Sequence, residues 1–217
     1  MSEFRKVTSK ELIIKHGIKE FLERGFKSAS LRSIVKKDGL TTGAFYNYYS
    51  SKEELFNELV DPYERHFINV VEKSCDDAIA SAKNDNVLET YEKVTGAASS
   101  ELFSYVYDHY DNYLLLLSSS DFTEHSNFLN KLVKVVCKKL IAYKRICQKA
   151  GLSNDDRTLD IKGLEAIVYS EFKTVFSIVL EEKKKELGVN RMNCAKHFYT
   201  SGWKDLFVRC SIESGAV

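Results

Sequence analysis

Residues Ser30 to Phe56 read SLRSIVKKDGLTTGAFYNYYSSKEELF, and the pattern of this stretch decides the architecture. Leu31, Ile34 and Val35 recur at helical spacing, Asp38-Gly39-Leu40 has the composition of a tight turn, and Thr41 offers a hydroxyl to cap the next helix. Gly39 can take the left-handed backbone conformation that reverses the chain. The stretch therefore predicts a helix from near Ser30 to Asp38-Gly39 and a short helix over Thr42 to Tyr48. A further helix starts at Ser51-Lys52-Glu53-Glu54, a capping box, and continues through Leu55, Phe56, Leu59 and Val60. Upstream, Thr8-Ser9-Lys10-Glu11 is another capping box, and Ile14, Ile18, Phe21 and Leu22 fall on one face of a helix that Gly25 can stop. Leu31, Ile34, Leu40 and Phe45 are expected to pack these helices together. The short helix then presents Thr41, Thr42, Gly43, Tyr46, Asn47 and Tyr48, hydrogen-bonding side chains plus one residue with none, a set suited to a phosphate backbone and a major groove. Tyr46 and Tyr48 as core aromatics would need a second core, because Phe45 already supplies the inward ring.

Outward from this stretch the chain is poor in punctuation. Its 217 residues hold one proline, Pro62, and ten glycines, so long helices with short joints follow and the fold class is all-α. Pro62 is expected to bend the fourth helix without ending it, since Tyr63, Phe67, Val70 and Val71 keep its periodicity. After a polar joint at Asn84-Asp85-Asn86 comes a long aromatic helical region to about Leu117, broken near Asp111. A polar loop follows over Ser118 to Ser126. Helices are expected over roughly 127–149, 158–186 and 193–213, with joints at Gly151 to Asp156 and at Gly188-Val189-Asn190. The domains so defined are 1–52 and 53–217.

Charge and composition narrow the function. Residues 1–52 carry eleven Lys/Arg against five Asp/Glu, whereas the remainder carries twenty-one against twenty-six, a basic head on an acidic body. No run approaches the roughly eighteen apolar residues of a membrane helix, and the first residues lack the apolar core of a secretory signal. Cys75, Cys137, Cys147, Cys194 and Cys210 are scattered, without a C-x-x-C pair, and are expected as free thiols in a reducing cytosol. The five histidines lack metal spacing, so neither a metal nor a cofactor is expected. Ser33-Ile34-Val35-Lys36 matches S-x-x-K without its partner motifs, and no phosphate loop or H-E-x-x-H occurs, so an enzyme is not expected.

The ordered run Gly39, Thr41, Thr42, Gly43, Phe45, Tyr46, Tyr48, Ser51, Lys52, Glu53, Leu55 and Phe56 resembles the DNA-binding domain of the TetR/AcrR family. One extra Glu separates Glu53 from Leu55. The likeness extends upstream through Phe21, Gly25 and Phe26, and Phe198-Tyr199-Thr200-Ser201-Gly202-Trp203 resembles the last helix of a subgroup of these regulators. The resemblance implies an N-terminal three-helix helix-turn-helix DNA-binding domain followed by a C-terminal helical ligand-binding and dimerisation domain. It implies that Thr41 and Thr42 touch phosphate or base edges and that Gly43 allows close backbone approach. Tyr46 and Tyr48 would bond phosphates, Lys52 would add a charge contact, and Ser30 and Arg32 would anchor the opposite strand. Asn47 departs from the His often found there and offers either a bidentate pair to adenine or a contact to phosphate. Asp38 departs from a usual small apolar residue and reads as turn chemistry.

The last two helices are apolar too widely for surface helices, with one stripe for the core and another for a partner. Ile161, Leu164, Val168, Phe172, Val175 and Val179, with Phe198, Trp203 and Leu206, are expected at a homodimer interface, where the resemblance implies a four-helix bundle. Two reading heads would then meet a palindromic double-stranded operator with half-sites about one turn, roughly 34 Å, or more apart. The middle helices hold an excess of aromatic and polar-tipped residues, among them Tyr91, Phe103, Tyr105, Tyr107, His125 and Tyr143. From this region and the helix expected over 158–186, His109, Tyr110, Tyr113, Phe172 and Phe176 are expected to line a pocket for a small apolar or aromatic effector, although the set equally suits ordinary bundle core. The reading is a ligand-responsive cytoplasmic transcription regulator, expected to repress. The alternative is a DNA-binding regulator without a small-molecule effector, controlled by a protein partner.

Overall fold

The computed structural model describes residues 7–36, 38–82, 87–118, 124–151 and 157–212. The expected joint at Asn84-Asp85-Asn86 and most of the two expected loops, at 119–123 and 152–156, lie outside the described residues. The described chain is helical as expected: α1 (Ser9–Ser28), α2 (Leu31–Val35), α3 (Thr42–Tyr46), α4 (Lys52–Ser81), α5 (Val87–Asp108), α6 (Tyr110–Ser118), α7 (Phe128–Lys149), α8 (Ile161–Glu181) and α9 (Lys185–Arg209). A 3-10 turn, Glu124–Asn127, precedes α7, and β1 (Arg157–Leu159) pairs in parallel with β2 (Cys210–Ile212). This strand pair was not foreseen, because three residues are too few to show a period.

Two compact units divide the chain inside α4, at Arg65/His66 rather than at 52/53, and His109–Ser126 joins the first unit. In that unit α1 opens with the expected capping box. The Thr8 hydroxyl accepts from the Glu11 N–H, and the Glu11 carboxylate accepts from the Thr8 N–H at 2.8 Å. At Gly25 (φ 70°) the backbone leaves helical geometry before a last turn to Ser28. Phe21 and Phe26 from this end both meet Phe56 of α4 edge-on, at 5.1 and 5.0 Å between ring centres. Leu55, Phe56, Leu59 and Val60 are all buried, so the apolar face of α4 faces this unit's core as its periodicity predicts.

Lys52 caps the end of α1. Its ammonium donates to the carbonyls of Phe26, Lys27 and Ala29 at 2.8, 3.3 and 3.2 Å and lies 4.7 Å from the centre of the Phe26 ring. An ammonium has three donors, and here three carbonyls accept from them, a structural role beside the charge contact to DNA expected for Lys52. The second capping box is also displaced by one residue. The Ser51 hydroxyl accepts from the Glu54 N–H, but the Glu54 carboxylate accepts from the N–H and hydroxyl of Ser50.

Helix α4 runs through Pro62. Pro62 brings no N–H to the carbonyl of Glu58, whose side chain is exposed, while Asn112 of α6 donates its amide to the neighbouring Leu59 carbonyl at 2.8 Å. The break between α5 and α6 falls at His109, two residues before the expected place. In the 3-10 turn, buried His125 is bonded through Nδ1 to the carboxylate of Glu64, and its Nε2 lies 3.3 Å from oxygens of both Asn57 and Asp61.

The second unit packs the later part of α4 with α5, α7, α8 and α9. Tyr91, Tyr143 and Phe207 form a ring cluster with centres 4.9–5.1 Å apart. Buried Lys144 donates to the Phe207 carbonyl at 2.6 Å. The joint between α8 and α9 lies at residues 182–184, not at Gly188-Val189-Asn190. Glu182 is the C-cap of α8, and its carboxylate accepts from the N–H of Lys184 at 2.9 Å. Gly188 is inside α9, where it serves packing instead of a turn. A Cβ there would stand 1.7 Å from the Tyr107 hydroxyl oxygen, which is held by donation to the Glu182 carbonyl at 2.7 Å.

Two stability effects follow. Gly188→Ala should destabilise the protein by about 1–3 kcal/mol through overpacking; an unchanged melting temperature would contradict the close approach to Tyr107. Lys52→Met should cost about 2 kcal/mol, the value of charged hydrogen bonds to otherwise orphan carbonyls. Chemical denaturation without DNA measures it, and wild-type stability would show that the cap contributes nothing.

Candidate nucleic-acid interface and effector cavity

The helix-turn-helix is built on a short scaffold. Glu20, buried on α1, accepts from the Ser30 N–H at 3.1 Å and from the Ser33 hydroxyl at 2.6 Å. It thereby caps α2 from a neighbouring helix, since the side chain of the N-cap residue Ser30 makes no capping bond. Asp38 takes φ 57° and Gly39 φ 71°, two successive left-handed residues that turn the chain. The Asp38 carboxylate also lies 2.8 Å from Nε2 of His16 on α1, so Asp38 ties the turn to that helix in addition to its expected turn role. Thr41 caps α3 by accepting from the Ala44 N–H at 3.1 Å.

On α3 and the turn after it the aromatic residues divide by direction. Phe45 and Tyr49 are buried, with ring centres 5.5 Å apart, whereas Tyr46 and Tyr48 are 56% and 45% exposed. Ser30, Arg32, Thr41, Thr42, Gly43 and Asn47 are exposed as well. Of the nine expected contact residues, Lys52 bonds the carbonyls at the end of α1 and Thr41 uses its hydroxyl as the cap of α3. The sequence reading had missed Glu20, His16 and Tyr49. The signal for the first two was a polar residue within the stripe Ile13, His16, Gly17, Glu20 and Phe21, all buried; for Tyr49 it was the four-residue spacing from Phe45.

The second unit encloses a cavity of about 60 Å³ among α4, α5, α7, α8 and α9. Phe67, Tyr91, Phe103, Phe172 and Trp203 turn rings toward it, and Glu171 and Lys196 bring charge. Of the five residues expected at a pocket, Phe172 lines this one. Phe176 stacks on Phe128 at 5.5 Å in the adjoining core. His109, Tyr110 and Tyr113 belong to the other compact unit, where the buried Tyr113 donates to the Tyr63 carbonyl at 3.2 Å.

The residues expected at a homodimer interface differ in where they lie. Leu164, Val168, Phe172, Val175, Val179 and Trp203 are buried within a single chain, because the more apolar stripes of α8 and α9 face the unit's own core. Ile161 and Leu206 stay half-buried, and Phe198 is 72% exposed. Cys194, Phe198, Gly202 and Leu206, four residues apart along α9, line a shallow apolar depression together with Ile167 of α8. Among the described residues no group of three His, Cys, Asp or Glu is placed to hold a metal ion, and no helix is long and apolar enough to cross a membrane.

Residues 13–59 match the profile of bacterial regulatory proteins of the tetR family. Over 57 residues the chain is 42% identical to the HTH-type transcriptional regulator YdgC of Bacillus subtilis, covering 26% of this chain and 29% of that protein. Over 126 residues it is 30% identical to YerO of the same organism, covering 58% and 41%. The matches thus span well under half the length of these relatives. Among solved structures, the TetR-family regulator PfmR of Thermus thermophilus is similar at TM-score 0.53 and 18% identity, covering 97% of this chain and all of that one. The fatty acid degradation regulator FadR of Bacillus halodurans is similar at 0.52 and 16%, covering 92% and 98%. At such identities the structural likeness is one of fold. With the helix-turn-helix geometry and the ordered motif of residues 39–56, these findings show that residues 13–59 match the DNA-binding domain of tetR-family regulatory proteins and that the described chain has a fold similar to that of TetR-family regulators.

Proposed function

We propose that the protein is a ligand-responsive repressor of the cytoplasm, acting as a homodimer that grips a palindromic operator through its two helix-turn-helix units. The observation that carries this reading is the outward placement of Tyr46 and Tyr48 beside buried Phe45 and Tyr49. Two large side chains with polar tips are held at the surface of a rigid head, where burial gives no reason for them. Thr41, Thr42, Gly43 and Asn47 around α3, with Ser30 and Arg32 on α2, would complete the contacts to phosphates and base edges. Lys52 would act indirectly, by holding the end of α1.

The stripe of exposed Cys194, Phe198 and Gly202 with half-buried Leu206 supports the homodimer. It is apolar, follows one face of α9, and includes the most exposed large apolar residue among those described. The cavity supports the effector. Helix α4 contributes Phe56 to the core of one unit and Phe67 to the lining of the cavity, so displacing Phe67 would act on the helix that carries the head. A regulator controlled by a protein partner is the second reading, and it draws on the small volume of the cavity.

Binding to the DNA upstream of the protein's own gene should be tight at low salt and weaken steeply at higher salt. Tyr46→Ala should reduce that affinity about tenfold or more through loss of a bond to charged phosphate, with no change in melting temperature. Wild-type affinity in this variant would remove α3 from the interface. Phe198→Glu should sediment as a monomer and lose most operator affinity; a dimer of wild-type stability would place the interface elsewhere.

A further inference from the structure

The charged lining of the cavity identifies a class of ligand. Glu171 is only 8% exposed, and its two carboxylate oxygens have different partners. One accepts from the Trp203 indole N–H at 2.8 Å; the other lies 3.3 Å from the Lys196 ammonium. The indole is neutral, so among the described residues Lys196 forms the ion pair that compensates the buried charge. That pair is longer than the 2.7–2.9 Å or so of a strong charged bond. The two partners also differ in freedom. Glu171 is short and fixed by the indole, whereas Lys196, its side chain 17% exposed, has a long stem that can carry its ammonium outward to water. The neighbouring Cys75 supplies no second anion, because burial pushes its thiol up to about 11.

We propose that the cavity binds a small organic cation, an ammonium group on an apolar or aromatic body, with Glu171 as counter-ion and Lys196 as the built-in cation that the ligand displaces. This rests on the effector-responsive reading above and names the chemistry of its site. A cation restores the charge balance that the departing lysine leaves. An anion placed on Lys196 would instead stand beside a carboxylate that the indole holds in place. An aromatic lining that includes Phe67, Tyr91, Phe103 and Phe172 suits a cation. Size favours displacement too: about 60 Å³ is well short of the roughly 150 Å³ that holds a benzene. Withdrawal of the lysine stem adds its own volume to the space.

Trp203 is the only tryptophan in the chain, so its fluorescence reports this site directly. Benzyltrimethylammonium should shift the emission saturably, and its uncharged isostere neopentylbenzene and the anion phenylacetate should bind at least tenfold more weakly. Glu171→Gln keeps an acceptor for the indole and should lower cation affinity at least tenfold. Lys196→Met removes the competitor and should raise it several-fold. Phenylacetate binding that disappears in Lys196→Met would overturn the proposal, as would the lack of any cation response in folded wild-type and Lys196→Met protein. Titrating the same samples against the upstream DNA separates the two readings. Cation binding with unchanged DNA affinity supports the site and overturns the effector reading; intact DNA binding without cation binding overturns the site alone.

Discussion

Burial of Phe45 and Tyr49 is the constraint on which the head depends. Helix α3 has five residues, too few to persist by its own hydrogen bonds. Its orientation is therefore set by the two rings it buries. With those rings turned inward, the residues between them, Tyr46, Asn47 and Tyr48, are turned out. Glu20 and Asp38 serve the same end from α1 and the turn: one carboxylate holds the start of α2, and the other ties the turn to His16. The exposed residues are thus held by bonds made beneath them, so the outward face of the head is positioned by residues that are not themselves part of it.

Helix ends raise the same problem throughout the chain. Each end leaves carbonyls or N–H groups without partners, and a fold of long helices has little turn chemistry to satisfy them. Long polar side chains reach across to do so. Lys52 covers carbonyls at the end of α1, Lys144 meets the Phe207 carbonyl near the end of α9, and Tyr107 meets the Glu182 carbonyl beyond α8. The Glu171–Lys196–Trp203 group is different in kind. It closes no helix end and stands at a cavity instead, and this sets it apart from the structural uses of charge elsewhere.

Much of this was legible in the sequence where a pattern is local. The capping box at Thr8, the turn at Asp38-Gly39, the Thr41 cap and the inward stripe of α4 all depend on residues within a few positions of one another. Legibility failed where a residue's work depends on a distant part of the chain. Gly188 looked like a joint, but Tyr107 needs the space that a side chain would take. Lys52 belonged to a motif resembling a DNA contact, yet the carbonyls it meets lie some twenty-five residues earlier. His109, Tyr110 and Tyr113 share aromatic and polar-tipped character with the cavity residues, yet they belong to the other compact unit.

By itself, the sequence determined the helical class, the helix-turn-helix and the identities of the outward residues on α3, because helical periodicity and capping are short-range properties. Only the tertiary structure decided which apolar stripe of α8 and α9 is core and which remains open on α9. It alone brought Glu171, Lys196 and Trp203 to one cavity. The physical reason is the same in both cases: periodicity says which side chains share a face of a helix, and the packing of other helices decides what that face meets.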